Sequence, residues 1–106
     1  METKIKLPET ITEFLDQQIT HCQTFNADHP QIERARNLIS KCLYCKSLNE
    51  KSLEYREIVN DIIDGILKHN YKNFPLDAHP SDNSFANECI KDIHVWLKTV
   101  EKLKIA

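Results

Sequence analysis

The sequence predicts an all-α fold, an antiparallel four-helix bundle with up-down-up-down connectivity. Three observations carry this expectation. Apolar residues recur at three- and four-residue steps in four separate segments. The single glycine apart, the breakers are four prolines, all at or beyond the ends of those segments. The connections between the first three segments are short, which places consecutive helices side by side in opposite directions. At 106 residues the chain (1–106) has room for one core and therefore one domain.

The first helix is expected over about residues 10–25. Thr10-Ile-Thr-Glu13 is a capping box, in which the Thr10 hydroxyl and the Glu13 carboxylate satisfy backbone amides reciprocally. Ile11, Phe14, Leu15, Ile19, Cys22 and Phe25 form its apolar stripe. The second helix is expected over 29–47, with Asp28 and Gln31 as caps and Pro30 in the first turn, where a missing N–H is no loss. Its stripe is Ile32, Ala35, Leu38, Ile39, Cys42 and Cys45. A break near Ser47-Leu-Asn49 leads to the third helix, over 50–69, which contains Gly65. Residues 70–82, with Pro75 and Pro80, read as a loop. The fourth helix is expected over 83–104, with Trp96 and Leu97 widening its apolar face enough to offer a homodimer seam.

The most informative pattern lies in the third segment. Glu50, Glu54, Glu57, Asp61 and Asp64 are separated by steps of four, three, four and three, which aligns all five on one helical face. Tyr55, Ile58, Val59, Ile62, Ile63 and Ile66 take the opposite face. Like charges at these spacings each cost about 0.2–0.5 kcal/mol of helix stability. The simpler reading is a solvated face, partly neutralised by Lys51, Arg56, Lys68 and neighbouring helices. The functional reading is a docking surface that steers association with a partner protein carrying a basic surface. Tyr71 and Phe74, at the start of the loop, are the candidate apolar anchors, although they can equally fold back to plug the end of the bundle. In size, acidity and inferred architecture the chain resembles small immunity proteins that neutralise bacterial toxins. No motif aligns residue by residue, so the resemblance implies an inhibitor-like role without assigning it to particular side chains.

Two other chemistries compete. Glu54-x-x-Glu57 with Asp61-x-x-Asp64 resembles the acidic motifs of magnesium-dependent all-α nucleotide pyrophosphatases. Those enzymes face acidic pairs from two helices across a pocket, whereas these four acids share one helix and point away from its apolar face. His21, Cys22, His29, His69, His79 and Cys89 all fall near helix ends that the bundle gathers at one pole, a composition able to bind zinc. No spacing puts two of them on one helical face, and histidines are common at helix ends in any case. Cys42-x-x-Cys45 lies on an apolar stripe near a helix C-terminus, where the dipole opposes a thiolate, and the topology puts Cys22 and Cys89 at the other end. These cysteines are expected to be core residues.

Net charge is −2, with no basic excess to hold phosphates, which argues against nucleic acid as a primary partner. Met1–Pro8 has no apolar stretch like a signal peptide, and no run approaches the ~20 apolar residues of a membrane span. The expectation is a cytoplasmic, non-catalytic protein-binding module without a cofactor.

Overall fold

The computed structural model describes residues 6–73 and 84–105, with side chains described at 6–72 and 91–105. These residues form four helices and no strand: α1 (Ile11–Cys22), α2 (Ile32–Ser47), α3 (Leu53–Asn73) and α4 (Ser84–Glu101).

Local hydrogen bonding explains where each helix begins and ends. At the start of α1 the Glu13 N–H donates to Thr10 Oγ1 (3.1 Å), the predicted half of the capping box. The returning carboxylate accepts from the Glu9 N–H (2.9 Å), one residue earlier than that motif places it. α1 stops at Cys22, short of residue 25, because the next amides tighten onto carbonyls three residues back. Thr24 N–H donates to His21 O (3.1 Å) and Phe25 N–H to Cys22 O (3.3 Å).

The start of α2 departs from expectation. Neither Asp28 nor Gln31 caps it with a side chain, and the helix begins at Ile32. The Gln31 N–H instead donates to His29 Nδ1 (2.9 Å), and the Ile32 N–H donates to the His29 carbonyl (3.0 Å). α3 begins at Leu53, later than residue 50, because residues 49–52 close a turn. The Asn49 carboxamide oxygen accepts from the Lys51 N–H (2.8 Å), and Ser52 Oγ then accepts from the Tyr55 N–H (3.1 Å) as the cap. α3 continues to Asn73, past the expected end at residue 69. Most of the predicted loop, residues 74–82, lies outside the described residues.

One core unites the helices. α1 contributes Phe14 and Leu15, α2 Cys42 and Cys45, α3 Tyr55, Val59, Ile62, Ile63 and Ile66, and α4 Leu97 and Val100, all buried. The predicted stripes of the first three helices supply these residues directly. Trp96 and Leu97, the predicted dimer seam, are both used within the chain. Leu97 is fully buried. Trp96 packs against the Phe14 ring (centroids 6.3 Å apart), and its indole N–H donates to Gln17 Oε1 (3.0 Å). After α4 the chain folds back on α3. The Asn60 carboxamide exchanges two hydrogen bonds of 2.8 Å with the Ile105 backbone, and Lys104 pairs with Asp64 (2.7 Å).

Candidate functional site

The five acids of the predicted stripe are all exposed, but they do not all share a helix. Glu50 sits in the turn before α3, since Ser52 rather than an earlier residue caps the helix. Glu54, Glu57, Asp61 and Asp64 follow on the outward face of α3.

Cross-helix contacts divide these carboxylates between the two flanks of α3. On the α2 side, Glu54 accepts from the Tyr44 hydroxyl (2.5 Å) and Asp61 pairs with Lys41 (3.5 Å). On the other side, Asp64 pairs with Lys104. Among the described residues, Glu50 and Glu57 form no ion pair. The Glu54 hydrogen bond and charge raise the Tyr44 phenol above its ordinary pKa, so Tyr44 stays a neutral donor. The exposed ion pairs are held in water and contribute little to stability. The face therefore keeps its negative charge mainly at its N-terminal half.

That half also displays apolar surface that the sequence reading missed. Leu53 is 58% exposed and Tyr44 is 49% exposed. A signal for Leu53 was available: it falls three residues after Glu50 and four before Glu57, inside the acidic stripe and off the apolar one. Tyr44 lies off the α2 stripe, and only the tertiary structure shows that it stands beside Glu54.

The predicted anchors behave differently. Tyr71 lies in the last turns of α3, half-buried against the core, with its ring 5.9 Å from the His94 ring. It serves packing. Phe74 lies outside the described residues. The four helical acids, which the magnesium reading needs in convergence, lie exposed along α3, with Lys41 and Lys104 drawing two of them to opposite flanks. Among the described residues, no group of three or more His, Cys, Asp or Glu stands in an arrangement that could hold a metal ion.

Cys22, Cys42 and Cys45 are buried free thiols, and Cys89 lies outside the described side chains. The predicted separation of Cys22 from Cys42 does not hold. Cys22 is near enough to Cys42 for a charge on one to act on the other. The Lys46–Asp16 ion pair sets the offset of α2 on α1, so that Cys22, six residues on from Asp16, falls beside the middle of α2 rather than its start. Burial pushes the Cys42 thiol up to about 12, with Cys22 and Cys45 adding to the shift and Lys46 opposing it. Burial likewise raises Cys22 and Cys45. Such thiols are poor nucleophiles near neutral pH.

Four of the six residues of the predicted histidine and cysteine pole do line one cavity, of about 450 Å3: His21, Cys22, His29 and His69. His79 and Cys89 lie outside the described side chains. The Phe25 ring packs against two of the histidines, edge-on to His21 (5.4 Å) and 4.5 Å from His29. Both imidazoles are thus engaged in aromatic packing with Phe25.

Compared with protein-family models, with curated proteins and with solved structures, the chain matches none of them. No described helix is long and apolar enough to cross a membrane.

Proposed function

We propose that this chain is a non-catalytic protein-binding module that docks a cationic partner protein on the outward face of α3, and that it inhibits or regulates that partner. The observation that carries the reading is the exposed Leu53 set among Glu50, Glu54 and Glu57, with Tyr44 at the edge. An apolar or aromatic anchor inside a charged rim is the anatomy of a binding hot spot. The rim carboxylates would speed encounter with a basic surface, and that effect weakens with salt. Acids in the first turns of a helix also favour its dipole, so Glu54 has a structural use as well. Glu50 and Glu57 have no partner of that kind among the described residues.

The same reading takes the helices as an antiparallel up-down-up-down bundle. The cross-helix pairs support it: Tyr44 meets Glu54 whereas Lys41 meets Asp61, so numbers rise on α3 as they fall on α2. Free rather than bridged thiols fit a reducing compartment such as the cytoplasm.

The test uses a variant with Glu50→Lys, Glu57→Lys and Leu53→Ser, which leaves the Asp61 and Asp64 ion pairs intact. Wild type should retain a basic partner from the native lysate at low salt and release it as salt rises, while the variant retains none. Equal recovery by both proteins sinks the reading. Magnesium separates this function from the carboxylate-enzyme alternative. A true site would raise Tm on adding the ion, whereas a docking face should leave it unchanged.

A further inference from the structure

A second cavity, of about 610 Å3, is lined by residues of α2 and α3, along the second half of α3. Its walls carry four cations, Arg34, Lys41, Lys68 and Lys72, against one carboxylate, Asp61. That carboxylate is already paired with Lys41. Among the described residues, Arg34, Lys68 and Lys72 form no ion pair. A chain of net charge −2 has thus gathered unpaired positive charge around one concavity. Gly65 lies in the wall, and a Cβ there would meet nothing within 4 Å, so the space is open.

This groove adjoins the cavity of about 450 Å3 at the end of the helices, because Arg34, Leu38, Ile66 and His69 line both. That chamber has a mixed lining, in which Phe25, Ala35, Ile93 and Trp96 form an apolar and aromatic part beside His21, His29 and His69. Arg34 stands at the junction between that chamber and the cationic groove. Each volume falls in the roughly 300–1,000 Å3 range of small-molecule sites, which combine apolar walls with a few placed polar groups.

We propose that the joined cavities bind a small amphipathic anion, a fatty-acid-like molecule whose carboxylate pairs with Arg34 at the mouth and whose apolar body lies along Leu38, Ile66, Phe25 and Trp96. Guanidinium meets carboxylate through two parallel N–H donors, a geometry that favours this head group over a neutral one. Lys68 and Lys72 add long-range attraction without fixing orientation. The groove adjoins the acidic face, sharing Asp61 with it, but the proposal rests on the cations and the chamber rather than on the carboxylates.

Decanoate and decanol, which share a chain and differ in charge, are the probes. Trp96 is the only tryptophan in the chain, so its emission reports occupancy of the chamber directly. Decanoate should bind saturably to the full chain, shift Trp96 emission and raise Tm, and decanol should bind about tenfold more weakly, the loss expected for one charge-assisted contact. Arg34→Gln should weaken decanoate to the level of decanol while leaving decanol binding unchanged. Should that variant fold poorly, the double variant Lys68→Gln with Lys72→Gln, at exposed positions, is expected to weaken decanoate and reduce its salt dependence. Absence of saturable binding, equal affinity for acid and alcohol, or variants that bind decanoate like wild type would each overturn the proposal.

Discussion

At His69 three effects act in one direction. Burial disfavours the imidazolium most, and the charges of Arg34 and Lys72 add to it, so the folded pKa falls below its ordinary value of 6.5. The unfolded chain then binds a proton near pH 6.5 that the folded chain accepts only at lower pH. Below that point the unfolded state holds more protons, and stability declines as pH falls from about 6.5 through the folded pKa. The contribution is complete above that window. Urea unfolding of wild type and His69→Gln, at pH 7.5 and pH 5, should show the larger acid loss in wild type. Equal losses would mean that His69 contributes nothing to the pH dependence. Sequence alone placed this residue near a helix end; it could not show that two cations converge on it from α2 and α3.

The boundaries of the elements show why single residues read differently in sequence and in structure. Thr10 and Glu13 were legible because a capping box is local, confined to one turn. His29 was read as a helix-end histidine, yet it supplies the acceptor for the Gln31 N–H in place of Asp28. The choice between two nearby acceptors depends on the path of the loop, which the Phe25 contact helps to set. Gly65 is the clearest case within an element. No close backbone approach requires a glycine there, because a Cβ would meet open space. Its backbone is helical, with no positive φ at any described glycine. Gly65→Ala should therefore stabilise the fold by about 0.4–1 kcal/mol, through helix propensity and a less flexible unfolded chain. Denaturant midpoints at constant m-value would measure it, and a destabilised variant would show that the space is needed.

For the whole molecule, the decisive contacts join residues far apart in the chain. Gln17 on α1 accepts the indole N–H of Trp96 on α4 and donates its own amide to the Lys6 carbonyl (2.7 Å). One side chain therefore ties the N-terminal strap, α1 and α4 together. Gln17→Ala removes both bonds and leaves the half-buried indole without this acceptor. The expected loss is about 1–3 kcal/mol, at 0.5–1.5 kcal/mol for each bond. A change in Trp96 emission should accompany it. Unaltered stability and emission would mean that water replaces the side chain at no cost.

Helix number, the identity of most core residues and the acidic stripe were determined by the sequence itself, because helical periodicity is a local property and each stripe needs only its own spacing. Tertiary structure decided everything that depends on which helix lies beside which. It brought Cys22 near Cys42, turned Tyr71 toward the core and set Tyr44 against Glu54. It also drew Asp61 and Asp64 to opposite flanks and assembled Arg34, Lys68 and Lys72 around one groove. The physical reason is one of range. A residue's face is fixed by the few residues around it in sequence, whereas its neighbours across a helix interface are fixed by where loops end and by how far one helix is offset along the next.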